Sequence, residues 1–223
     1  MSHASIRAVF WDFGGVIAES PFAAMNRYEA EQGLPEDFLR MTNARNPDDN
    51  AWARFERGEI SLDEFDRQFL EETRQRGHPV PGRELLPLLA VSIRPAMVRV
   101  LDALAPDFLQ ACLTNNLPVG QGAGMSTDAD HAASVEAVMK RFAFVLESNR
   151  ARARKPEPPF YYRACELAQV EPEQVVFLDD LGVNLKPARA LGMHTIKVID
   201  PEQAVQELAD LLDRPLETAY KGE

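Results

Sequence analysis

Ala8, Val9, Phe10 and Trp11 form an unbroken apolar run within Arg7–Asp12. A run without polar alternation suits a strand covered on both faces, as in a parallel sheet. Gly14 and Gly15 end it at once. Four later segments read as further strands: Phe108–Thr114, Phe144–Glu147, Val175–Asp179 and His194–Val198. Helical patterns separate them, at Pro95–Ala105, His131–Arg141, Pro158–Ala168, Val183–Leu191 and Glu202–Leu212. Strands alternating with helices predict right-handed crossovers and an α/β fold built on a doubly wound parallel sheet.

Residues 19–92 break the rhythm and hold no convincing strand. Ser61-x-x-Glu64 is a capping box, and the helix it opens is expected to run towards Arg76. Gly77-His78-Pro79 then stops it. The segment reads as an all-helical insertion, with Trp52, Phe55, Phe65 and Phe69 as its core. The remainder, residues 1–18 with 93–223, forms the α/β core.

Composition narrows the function classes. The chain has 223 residues, 45% hydrophobic and 26% charged, which argues against disorder. Its net charge of −11 repels phosphate backbones, so nucleic acid is not an expected partner. Arg150, Arg152 and Arg154, beside Lys155, form a local basic cluster able to meet an anionic substrate. No apolar run is long enough to span a bilayer, and the opening residues lack a signal-peptide layout. Cys112 and Cys165 sit in apolar and helical patterns and read as buried free thiols, which suits a reducing cytoplasm. Gly120, Gly122 and Gly124 do not match a dinucleotide fingerprint and read as a surface loop. Oligomeric state stays open.

In a doubly wound sheet, ligands bind beyond the carboxyl ends of the strands. There the first strand delivers Asp12, and the second delivers Thr114 followed by Asn115 and Asn116. The loop after the third delivers Lys155, and the fourth delivers Asp179 and Asp180. Singly, each has an ordinary structural reading: a turn aspartate, a helix cap, a surface lysine. Together they bring reactive groups to one place. Three converging carboxylates repel one another, and Lys155 neutralises only one charge. A hard divalent cation such as Mg²⁺ would neutralise the rest. Pro156 biases Lys155 towards extended backbone, and Pro158 and Pro159 fall where the next helix starts.

Four strings carry a family resemblance. They are Phe10-Trp11-Asp12-Phe13-Gly14-Gly15-Val16, Leu113-Thr114-Asn115, Lys155-Pro156-Glu157-Pro158 and Phe177-Leu178-Asp179-Asp180. In this order they resemble the four motifs of the haloacid dehalogenase superfamily, with residues 19–92 as its helical cap. The run Phe177–Arg189 is similar to the phosphatase domain of soluble epoxide hydrolase. The resemblance implies phosphoryl transfer to Asp12 through an aspartyl-phosphate, on a small phosphorylated substrate. It implies Mg²⁺ held by Asp12, the Gly14 carbonyl and Asp180. Thr114 and Asn115 would then bind phosphoryl oxygens and Lys155 would neutralise them. Asp179 would orient Lys155, and Asn184 would support the metal shell.

One position departs from the pattern. Most phosphatases of the superfamily carry a second aspartate two residues after the nucleophile, as general acid and base. Here that residue is Gly14. Such help is typically worth about 10²–10⁴-fold. The departure leaves a slow phosphatase, or one restricted to good leaving groups. It also admits another proton donor, with Glu19 as a candidate, or other chemistry altogether. A 2-haloacid dehalogenase needs no such acid, and a phosphate-binding pseudoenzyme needs no turnover. Residues 19–92 contain no lysine, which argues against a cap-lysine phosphonate hydrolase.

Overall fold

In a computed structural model, residues 5–119 and 128–222 are described here. The chain opens with β1 (Ala8–Trp11) and then passes through four helices. These are α1 (Phe22–Glu31), α2 (Phe38–Asn43), α3 (Ala51–Glu56) and α4 (Leu62–Arg74), followed by a 3-10 segment at Gly82–Leu89. The remainder alternates. It runs α5 (Pro95–Leu104), β2 (Leu109–Thr114), α6 (Ala129–Met139), β3 (Phe144–Glu147), α7 (Ser148–Ala151) and α8 (Pro158–Ala168). A 3-10 turn at Pro172–Gln174 leads into β4 (Val175–Asp179), α9 (Gly182–Ala190), β5 (His194–Lys197), α10 (Pro201–Leu212) and α11 (Glu217–Lys221).

The five strands form one sheet in the order β3-β2-β1-β4-β5, and every pairing is parallel. The unbroken apolar runs have the predicted cause. Val9, Trp11, Cys112, Val176 and Leu178 face a cluster with Val100 and Leu101 of α5 and Val205 and Leu208 of α10. Ala8, Phe10, Ala111, Leu113 and Phe177 face the other side, against Phe160 and Tyr161 of α8 and Leu185 of α9. Successive residues of each strand thus serve opposite layers, so neither side could be polar. Cys112 and Cys165 are buried free thiols. Strand order reverses at β1, which places a crevice at the carboxyl ends of β1 and β4.

Residues between β1 and α5 pack around a third cluster that includes Met25, Leu39, Phe55, Phe65, Phe69 and Leu85. Phe55 and Phe65 stack with ring centroids 4.6 Å apart. Trp52 is only partly buried, and its indole N–H donates to Glu56 Oε1 at 2.8 Å. The capping box of α4 has both halves in place, with Glu64 N donating to Ser61 Oγ and Ser61 N to Glu64 Oε2. The two stems of the insertion lie side by side. Ala18 bridges Ile93 in antiparallel fashion, and Glu19 N donates to Ser92 O at 2.8 Å. The glycine string at 120, 122 and 124 lies outside the described residues. Among the described residues, no helix is long and apolar enough to cross a membrane.

Candidate active site

Asp12 lies one residue beyond β1, where its backbone N–H donates to Leu178 O at 2.9 Å and extends the ladder with β4. The carboxylate is buried. Its Oδ1 accepts from Phe13 N at 2.7 Å and sits 2.8 Å from Lys155 Nζ. Among the described residues, its Oδ2 accepts no hydrogen bond.

Lys155 is 1% exposed and its ammonium bridges two carboxylates, reaching Asp179 Oδ2 at 2.7 Å as well as Asp12. Burial alone would push this lysine's pKa down. Asp12 and Asp179 outweigh burial and hold it above its ordinary value, so it stays charged. Its backbone is fixed just as firmly. Lys155 N donates to Asn115 Oδ1 at 2.8 Å, and Asn115 Nδ2 donates to Lys155 O at 2.8 Å. Glu157 N donates to Arg154 O at 2.8 Å, closing a tight turn over the cis Lys155–Pro156 bond.

The aspartate pair ending β4 divides its work. Asp179 is fully buried and the protein occupies both of its oxygens. Leu181 N and Asn184 Nδ2 donate to Oδ1 at 2.8 and 3.0 Å. Asn184 Nδ2 and Lys155 Nζ donate to Oδ2 at 3.1 and 2.7 Å. Tyr161 in turn donates to the Asn184 carbonyl at 2.7 Å. Asp180 is half-buried, and among the described residues the side chain that bonds its carboxylate is Ser20, whose hydroxyl donates to Oδ2 at a long 3.3 Å.

One oxygen from each of Asp12, Asp179 and Asp180 lies within 4.8 Å of the others. Burial raises the Asp12 carboxyl above the usual range, Lys155 opposes it, and Asp179 and Asp180 add to the rise. Burial, then Asp179, pushes Asp180 up to about 6 against Lys155 and the Ser20 hydroxyl. The cluster therefore carries more negative charge than it can hold unaided. The unused Oδ2 of Asp12 and the lightly bonded Asp180 form an all-oxygen donor set suited to a hard divalent cation. Asp179 has no capacity left for one.

Thr114 ends β2, and the β1–β2 register carries it to the level of Phe13, at the same end of the sheet as Asp12. It is buried, and among the described residues its hydroxyl has no hydrogen-bond partner. Gly14 is half-buried, and a β-carbon there would meet only Pro21 Cδ, at 3.8 Å.

Several expectations shift. The Asn115 amide is engaged at both ends with the Lys155 backbone, so its side chain aims the lysine. Glu19 is exposed, and among the described residues its carboxylate has no partner. The arginine cluster largely faces the insertion. Arg152 Nη1 donates to Gly58 O at 2.8 Å and Arg154 Nε to Glu56 Oε2 at 2.5 Å, while Arg150 pairs with Glu147 at 2.8 Å. A cavity of about 510 Å³, lined by Ile60, Leu62, Pro118, Asn149, Arg150 and Arg152 among others, contains none of the reactive groups. Sequence patterns gave no sign of Ser20, nor of Ser148, which joins Asn116 N to the Glu56 carbonyl.

Comparison with known proteins decides the family. The profile of the haloacid dehalogenase-like hydrolases matches residues 6–192. The chain belongs to the haloacid dehalogenase-like hydrolase family. It is 34% identical to acyl-CoA dehydrogenase family member 10 of Mus musculus over 95% of its length, but covers only 20% of that protein. It is 30% identical to bifunctional epoxide hydrolase 2 of Sus scrofa, over 92% of this chain and 38% of that one. The chain thus spans well under half of these curated relatives. Solved structures of the family share its fold. A magnesium and inorganic phosphate complex of a family enzyme from Bacteroides thetaiotaomicron matches with a TM-score of 0.55 at 19% identity, over 86% of this chain and 94% of that one. L-2-haloacid dehalogenase from Xanthobacter autotrophicus, with chloropropionic acid covalently bound, matches with a TM-score of 0.59 at 20% identity, over 97% and 87%.

Proposed function

We propose that this haloacid dehalogenase-like hydrolase is a Mg²⁺-dependent phosphatase of small phosphorylated metabolites, with Asp12 as nucleophile. The observation that carries this reading is the asymmetry of the Asp12 carboxylate. Oδ1 is anchored by Phe13 N and Lys155, while Oδ2 accepts no hydrogen bond among the described residues, and the carboxylate lies beside Asp180. A carboxylate anchored through one oxygen has its orientation fixed before a substrate arrives.

In this reading the Asp12 carboxylate attacks phosphorus, the ester P–O bond breaks, and the leaving alkoxide takes its proton from water, leaving an aspartyl-phosphate. Water then hydrolyses that acyl phosphate and regenerates the carboxylate. Thr114 offers its open hydroxyl to a phosphoryl oxygen, and Lys155 offsets charge on the transferring group. Asp179 and Asn184 hold the lysine's aim, and the Asn115 side chain fixes its backbone. Asp12, the Gly14 carbonyl and Asp180 would hold Mg²⁺, which supplies charge neutralisation at the phosphoryl oxygens. Residues 19–92 form the cap over a core of 1–18 and 93–223. A further relative, from Arabidopsis thaliana and 26% identical over 72% of this chain, is named flavin mononucleotide hydrolase 1, which supports action on a phosphorylated metabolite.

Gly14 favours a second reading. No side chain there can protonate a leaving alkoxide, and a halide leaves without a proton, so a 2-haloacid dehalogenase also fits. Turnover of p-nitrophenyl phosphate with Mg²⁺ and with chelator, using Asp12→Asn as control, separates the two. Its leaving group needs little acid help. Mg²⁺-dependent turnover that disappears in the variant is the expected result. Full activity in chelator, or turnover of a 2-haloacid instead, would overturn the phosphatase.

A further inference from the structure

Two consecutive cap residues grip the two ends of the turn that presents Lys155. Glu56, the last residue of α3, accepts from Arg154 Nε at 2.5 Å, and both side chains are largely buried. Arg57, the next residue, donates to Glu157 Oε1 at 3.0 Å. Arg154 and Glu157 are the first and last residues of the turn whose middle holds Lys155 and Pro156. They are also joined to each other, since Arg154 N donates to Glu157 Oε2 at 3.2 Å. The grip is itself braced. Trp52 Nε1 donates to Glu56 Oε1 at 2.8 Å, and Ser148 Oγ donates to Glu56 O at 2.7 Å. Arg57 also pairs with Glu59 at 2.6 Å.

We infer that Glu56 and Arg57 are positioning residues, through which the cap sets where the Lys155 ammonium sits between Asp12 and Asp179. Neither touches the reacting groups. The physical reason is that a lysine stem has four rotatable bonds, so its head is only as well placed as its backbone. Asn115 fixes that backbone from the sheet side at Lys155 itself. The cap fixes it from the other side, one residue before and two residues after. Opposite charges arranged in reverse order, acid–base on the cap and base–acid on the turn, also define one register for the contact. A misplacement of about 1 Å at a catalytic group is enough to cost on the order of 10²-fold in rate. The inference rests on Lys155 acting at the reacting phosphoryl group, and its test separates the two.

The first readout needs no turnover. Nitrogen-15 lysine spectra of the wild type should contain a slowly exchanging ammonium resonance that is lost in Lys155→Met, as expected for a buried, doubly paired head group. Arg57→Ala and Glu56→Gln should shift or broaden that resonance. Arg57→Lys, which keeps the charge that faces Glu157 and Glu59, should bring it back. The second readout is p-nitrophenyl phosphate hydrolysis with Mg²⁺. Here kcat should fall on the order of tenfold in Arg57→Ala, with KM within about twofold. Arg57→Lys should recover most of it. An unchanged resonance and wild-type kcat in both single variants would overturn the inference. So would losses that follow melting temperature and are not rescued by Arg57→Lys. Lys155→Met is the control for the underlying reading. If it keeps full activity, the role of Lys155 fails, whereas an inactive Lys155→Met beside fully active Arg57→Ala and Glu56→Gln sinks the clasp alone.

Discussion

Gly15 and Asp180 are packed so closely that a β-carbon on the glycine would lie 2.2 Å from Asp180 Oδ2. Gly15 also has φ of +81°, where a side chain is strained whatever the space. The carboxylate thus occupies the room that a side chain would need. Gly15→Ala should lower stability by about 1–3 kcal/mol and displace Asp180. Calorimetric Mg²⁺ affinity should drop at least tenfold, roughly the cost of disturbing a ligand's support. A variant with wild-type affinity would show that Asp180 does not bind the metal.

The neighbouring glycine behaves differently. Gly14 has no positive φ, and a β-carbon there makes only an ordinary contact with Pro21. Gly14→Asp should fold and should raise kcat on a poor leaving group, such as phenyl phosphate, by tenfold or more, within the roughly 10²–10⁴-fold range of acid–base help. The gain on p-nitrophenyl phosphate should be much smaller. Equal gains on both esters would show that the new carboxyl acts on something other than the leaving group.

Asp179 and Asp180 are adjacent and chemically alike, yet their neutral isosteres should fail in opposite ways. Asp179→Asn removes a charge from a buried pair with Lys155 and should cost stability of about 3–5 kcal/mol. Asp180→Asn should melt close to the wild type while losing Mg²⁺ binding. Thermal melts beside calorimetry test this. The same pattern in both variants would mean that the pair shares one role.

Glu72 offers a pH test remote from the site. Its Oε1 accepts from Ala51 N at 2.8 Å, but its Oε2 is buried without a partner. Burial raises its pKa despite the Ala51 hydrogen bond. A carboxyl raised by folding contributes stability below its unfolded pKa and loses it as pH climbs through the folded value. Glu72→Gln should therefore raise the melting temperature at pH 7, with a difference that shrinks towards pH 4. A constant difference across that window would assign the effect to packing.

Much of this architecture was legible because burial on both faces leaves a strong signature. Phe144–Glu147 and Val175–Asp179 form strands with the predicted limits, since their apolar runs end abruptly at polar residues. Asp12 and Asp179 stand at the ends of strands, Lys155 in the turn before α8 and Asn184 in the first turn of α9, so all four meet at the same end of the sheet. What escaped notice depended on contacts between distant segments. Ser20 on Asp180 spans 160 residues, and Arg154 on Glu56 spans 98. No local pattern marks such a pair. The arginine cluster pointed to an anionic ligand when its anions lay largely within the chain itself.

The insertion begins and ends at one point. Ala18 is bridged to Ile93, Glu19 N bonds to Ser92 O, and Arg94 N bonds to Ile17 O at 2.9 Å. Antiparallel backbones at that spacing can be joined by a two-residue hairpin. A short turn replacing residues 20–91 would therefore close the remaining fold without stretching it, and a foreign helical module could be grafted onto the same two stems. Such a chimera would keep Asp12 and Asp180 but lose Ser20, Glu56 and Arg57. The exchange point would thus be modular in its backbone, while residues 20–91 carry the side chains that reach Asp180 and the turn bearing Lys155.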